Sequence, residues 1–167
     1  MNNKKSHAGL IRPCIYYVTA LVFGASILLF ACQPFETSPG YGKIHPRHLL
    51  MLPREGKLHI TWEARHLMVT LNGSVRQGTL TIDGSINRNK DLRDYTKLDN
   101  LVVDIYFTNA DGKVLRHAGL HSSDSPPQSK ILHTFQHSYK LPKNTTHIAF
   151  GYDIKSKGHH FQHNPFK

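Results

Sequence analysis

A chain of 167 residues, 39% of them hydrophobic, can bury one real core but hardly two, which makes a single domain the expectation. Its formal net charge of +10 favours anions as partners, yet the 21 lysines and arginines are scattered, with no run of five to make a nucleic-acid-binding arm. Two cysteines are too few for a disulfide scaffold.

Lys4, Lys5 and Arg12 give the chain a positive start, and Ile15 to Ala31 is apolar apart from Thr19, Ser26 and two tyrosines. Asp and Glu are absent before Glu36. This is the layout of a secretory signal. The run closes on Leu29-Phe30-Ala31-Cys32, which resembles the lipobox of bacterial lipoproteins. The resemblance implies that Leu29 and Ala31 are read by a signal peptidase, that the chain is cut before Cys32, and that Cys32 carries diacylglycerol on its thiol, its new amine often being acylated as well. The chemistry fits: a thioether needs a sulfur nucleophile, and a peptidase working in the membrane needs a small residue before the cut. An uncleaved anchor or transmembrane helix is the competing reading, since the run is near the ~17-residue lower limit for spanning. Such an anchor, however, has no reason to end on this tetrapeptide. Cys14 would be discarded, so the mature chain keeps one sulfur, chemically silent once acylated. Two or three acyl chains, at about 0.8 kcal/mol per buried methylene, hold a protein stably. Gln33 stands where an Asp usually keeps enterobacterial lipoproteins at the inner membrane, so the outer membrane is favoured if the host is Gram-negative.

Cleavage leaves 136 residues with a net charge of +7. Residues 32–56 are expected to form a tether, because Pro34, Pro39, Pro46 and Pro53 with Gly40, Gly42 and Gly56 forbid regular helix or central strand. His48-Leu49-Leu50-Met51-Leu52 is too apolar for a solvated spacer and is expected to pack on the domain as a short edge strand, a partner-binding segment being the alternative.

From Lys57 the pattern has period two, the mark of half-buried strands. Leu58, Ile60 and Trp62 alternate first. Residues 69–75 and 80–86 then pair across a Gln77-Gly78 turn, so that Val75 faces Leu80, Gly73 faces Ile82, Leu71 faces Gly84 and Val69 faces Ile86. Every apolar residue falls on one face, while Thr70, Asn72, Ser74, Arg76, Thr79, Thr81, Asp83 and Ser85 line the other. A large residue opposite each glycine points to close packing by a bulky side chain from a facing sheet. Leu98 to Thr108 follows, with Leu101, Val103, Ile105 and Phe107 on one side, and Asn109-Ala110-Asp111-Gly112 supplies a hairpin turn. Val114 to Leu120 returns, and residues 121–130, with Pro126-Pro127, are expected to be a loop. Ile131, His133, Phe135, His137, Tyr139 and Leu141 should share one side of the next strand, and Ile148, Phe150, Tyr152 and Ile154 one side of the last.

About seven short strands in one domain imply an all-β, immunoglobulin-like sandwich over residues 57–157, with a small barrel as the alternative. Residues 101–115, Leu141-Pro142 and Ala149-Phe150-Gly151-Tyr152 resemble the immunoglobulin-like or fibronectin-like domains of bacterial lipoproteins. That resemblance transfers no active site.

Histidine is the anomaly, at 13 residues. His117/His121 and His133/His137 are four apart, a chelating spacing on a helix but a separation of about 13 Å on a strand. Residues 158–167, past the last expected strand, form a tail in which His159, His160 and His163 could wrap copper, zinc or nickel, and metal handling is therefore the second functional reading. No cofactor is implied. Gly73-Ser74 and Gly84-Ser85 lack the Gly-x-Ser-x-Gly frame of a nucleophile elbow, and Asp83 and Asp104 read as solvated carboxylates on strands. Tyr106, Tyr139 and the outward hydroxyls are candidates for a ligand surface. The sequence thus points to a membrane-anchored envelope lipoprotein without catalysis, held by lipid at Cys32, whose partner is a protein or glycan and not nucleic acid.

Overall fold

Hydrophobic alternation drives nearly every element of the computed structural model, which describes residues 42–92 and 97–167. Leu29, Ala31 and Cys32 lie outside the described residues. Nine strands follow in order: β1 (Leu50–Met51), β2 (Gly56–Glu63), β3 (Leu67–Arg76), β4 (Thr79–Arg88), β5 (Asn100–Thr108), β6 (Val114–Asp124), β7 (Ile131–Lys140), β8 (His147–Ser156) and β9 (His159–His163). Short 3-10 turns stand at Pro46–His48 and Lys90–Leu92.

The strands make two antiparallel sheets. The front sheet runs β2-β3-β4-β7; the back sheet runs β6-β5-β8, and the far edge of β8 is shared by β1 at one end and β9 at the other. Neither sheet closes on itself or on the other, so the domain is a sandwich and not a barrel. The chain crosses between sheets from β1 to β2, β4 to β5, β6 to β7 and β7 to β8, an order unlike the ABED and CFG sheets of antibody domains. The core lies between the sheets, where Leu67, Val69, Leu71, Leu80, Ile82 and Ile86 of the front meet Leu101, Val103, Ile105, Phe107, Phe150 and Ile154 of the back. Trp62 against Phe150 and Phe107 against Tyr139, each with ring centres 5.3 Å apart, bridge the layers.

The β3–β4 hairpin has the expected register at all four pairs, and Gln77 and Gly78 both take positive φ, 48° and 70°, as a two-residue turn between right-twisted strands requires. The glycines are crowded from a different direction than expected. An added Cβ at Gly73 would lie 2.8 Å from Ile82 Cγ2, and one at Gly84 would lie 2.9 Å from Phe135 Cζ, so the bulky neighbours belong to the same sheet and not to the facing one.

Three stretches depart from the simple period. In β6 the strand continues to Asp124 where a loop was expected, because a bulge at Leu120 keeps the chain paired with β5 and buries that leucine. In β7 a bulge opposite Ile86 and Asn87 turns Leu132 inward and leaves Ile131 49% exposed. Residues 158–167 do not form a free tail: Lys157 and Gly158, with φ of 44° and 81°, make a second tight turn, and β9 pairs with β8.

The described end of the expected tether is packed as well. Leu50 and Met51 form the short edge strand expected of them, against Ile148 and His147. Upstream, Ile44 is wholly buried and its N–H donates to Gly112 O at 2.9 Å. Ile44, Tyr106 and Ala149, with Leu49, Val114 and Phe166 against them, form a second small core on the outer side of the back sheet. The prolines forbid helix here without forbidding burial. Among the described residues no helix is long and apolar enough to cross a membrane.

Candidate functional site

The two outer faces are treated oppositely. On the back sheet, residues 42–49 and 164–167 lie across the strands and hold each other: His45 N–H donates to Pro165 O at 3.1 Å, and Arg47 Nη2 donates to Lys167 O at 3.0 Å. Phe166 meets the Tyr106 ring edge-on at 5.5 Å. Gly151 makes room for this cover, since an added Cβ would lie 3.2 Å from Tyr106 Cε2 and 3.3 Å from Pro165 Cδ.

Among the described residues, no comparable segment lies over the middle of the front sheet. Strand register lines its outward side chains into three rows: Lys57, Ser74, Thr81 and Ser138; His59, Asn72, Asp83 and Gln136; Thr61, Thr70, Ser85 and Thr134. All are exposed or half-buried. Threonine and serine dominate because β-branched and short side chains suit a pleated surface. His59 Nδ1 and Asn72 Oδ1 are hydrogen-bonded at 2.7 Å, and the Thr81 and Ser138 hydroxyls are 3.5 Å apart. Half of this face, on β3 and β4, was legible in the sequence; β2 and β7 extend it, and their placement at the two edges follows from sheet topology alone.

Tyr106 and Tyr139 are not part of a ligand surface. Both are buried, and Tyr139 donates to Gly119 O at 3.4 Å, burial pushing its phenol up to about 12. Asp83 is exposed as expected. Asp104 is half-buried, and loss of water pushes its carboxyl upward, partly offset by His117.

Six histidines collect at the two seams where the sheets meet. At one seam, β6 against β7, His121 and His133 stack with ring centres 3.9 Å apart, and His137 Nε2 lies 3.1 Å from Leu120 O. At the other, His163 touches His48 at 4.8 Å and Trp62 at 5.3 Å, and His66 Nδ1 is bonded to the Tyr152 hydroxyl at 2.7 Å. Burial first, then neighbouring imidazolium or guanidinium charge, lowers the pKa of His48, His66, His121, His133 and His163. The structure does not bring the three tail histidines together. On β9 successive side chains alternate, so His159 and His163 share one face while His160 turns to the other and meets Asp153 Oδ2 at 2.5 Å. Among the described residues no three histidine, cysteine or carboxylate groups gather in a metal-binding arrangement.

A shallow recess between β4 and the 125–130 loop is lined by Arg88, Gln128, Ser129 and Lys130. Arg88 Nη2 donates to Pro127 O at 3.3 Å, which fastens the loop to β4. No protein-family model, curated protein or solved structure matches this chain.

Proposed function

We propose that this protein is a lipid-anchored component of the bacterial cell envelope, held through Cys32, whose sandwich works by binding another envelope component and performs no chemistry of its own. The anchor half of this reading rests on Leu29-Phe30-Ala31-Cys32 and the apolar run before it. The binding half rests on one observation: both ends of the domain are spent covering the back sheet, while the front sheet keeps a broad polar face open. Surface loops and edges usually carry binding, but a flat sheet face offers many fixed groups at once, which suits a large partner more than a small molecule.

Intact mass of the membrane-extracted protein tests the anchor. The expected mass is that of a chain beginning at Cys32 plus a diacylglyceryl group, with or without a third acyl chain, and the C32S variant should stay unacylated and uncut before residue 32. A full-length, unacylated mass for the parent, or unchanged cleavage and acylation in the variant, overturns the anchor. Crosslinking from the front face in intact cells tests the binding role, with a stoichiometric adduct expected and none recovered as the contrary result.

A further inference from the structure

Building on the choice of the front face, we infer that its ligand is a neutral, extended polysaccharide lying across β2, β3, β4 and β7. Charge argues first. In a chain with a net +10, the three rows hold a single lysine, Lys57, and a single carboxylate, Asp83, so the face is close to neutral. The nearest cationic row, Arg76 with Lys140, lies at its end. A polyanion would be drawn to the rest of the surface and not to this part of it.

Composition argues second. Protein partners anchor on aromatic, arginine or large aliphatic side chains sunk into pockets. The three rows contain one such ring, His59, and no arginine or large aliphatic side chain; Met68 and Ile131 stand in the next row of the same sheet, at the end of the face, and Met51 belongs to the other sheet. What the rows do contain is hydroxyl and amide groups, each able to donate and accept, as sugar hydroxyls do. Thr61, Thr70, Thr81 and Thr134 are β-branched and stiff at χ1, so fixing them against a ligand costs little rotamer entropy.

Geometry argues third. Strands about 4.8 Å apart and outward residues about 6.7 Å apart along each strand give the rows a footprint of about 14 by 13 Å. That is long enough for several sugar rings in an extended chain.

The test is cosedimentation of the detergent-extracted protein, as it is recovered from membranes, with insoluble chitin and cellulose, using cross-linked pectate as the anionic comparator. The expected result is binding to a neutral polymer that survives a rise in salt to roughly 0.5 M, where surface electrostatics are screened. A variant carrying T81K and T134K, both at exposed positions, should lose roughly tenfold or more in affinity, whereas Q162K on β9 should match the parent. The T81V and T134V pair removes the hydroxyls while keeping shape and strand preference, and should weaken binding in the same direction if the lysine variant does not fold. Binding to pectate alone with loss at high salt, equal loss in the Q162K variant, or no binding to either neutral polymer overturns the inference. A protein crosslinked to the front face without glycan binding would also overturn it, yet would leave the broader binding role standing.

Discussion

The back and front faces of this sandwich are built from similar strands and finished in opposite ways. On the back, apolar side chains brought by the two chain ends, Ile44, Leu49 and Phe166, seal Tyr106 and Ala149 from water. On the front, the three middle rows carry mostly hydroxyls and amides, and the half-buried Met68 stands in the row beyond them. The difference separates surface that stabilises from surface that is free to bind. The clasp belongs to the fold, while the open rows contribute little to folding and are where we propose that a partner binds.

The largest effect should come from the clasp. Replacing Ile44 by alanine removes a wholly buried side chain and should cost about 2–5 kcal/mol in denaturant unfolding. A cost near that of an exposed substitution would mean the cover is dispensable and the contrast between faces false. Next comes the inner side of the front sheet. Gly84→Ala forces a methyl against the Leu71 backbone and the Phe135 ring and should cost about 1–3 kcal/mol by the same measurement. The outward positions one residue away should not respond in this way.

Acid should loosen both seams. The fold holds His48, His66, His121, His133 and His163 less basic than the unfolded chain does. As pH falls below about 6.5 the unfolded state therefore binds more protons than the folded state, and stability is lost from there down to the lowered folded pKa values. Asp104 works the other way, since its raised pKa lets the folded protein take up a proton first on the acid side. One carboxyl set against five imidazoles leaves a net fall, seen as a lower melting temperature at pH 5 than at pH 7. His163→Phe, which keeps a ring facing His48, Trp62 and Tyr152 but removes the imidazole that titrates there, should flatten that fall. An unchanged pH profile in this variant would remove the β9 seam from the explanation. The smallest effect is expected at Thr81→Val, within about 0.5 kcal/mol in unfolding. A much larger loss would show that the open hydroxyls stabilise the sheet.

Much of this arrangement was legible in the residues. Alternation placed the core of β2, β3, β4, β5 and β8, and Gln77-Gly78 set the β3–β4 register because a one-residue slip would have turned every apolar side chain outward. What escaped was set by tertiary pairing. The bulge at Leu132 breaks period two with no glycine or proline beside it, whereas Gly119, next to the bulge at Leu120, is a signal the pattern did offer. Strand β9 was hidden by its polar histidines, with Phe161 against Ile154 as its one apolar contact in register. Ile44 and Phe166 are single apolar residues in proline- and polar-rich surroundings, and only the finished back sheet gives them somewhere to go. The open face was half visible, on the one hairpin whose register the sequence determines.

Hydroxyl-radical footprinting of the native protein in isolated envelopes, compared with the same protein purified in detergent, tests the division between the faces most directly. His59 and Met68, outward on β2 and β3, should be oxidised several-fold less in envelopes, while Met51, 76% exposed on β1, reacts equally in both. Protection of Met51 with His59 and Met68 unchanged would contradict the assignment of the front sheet as the working surface.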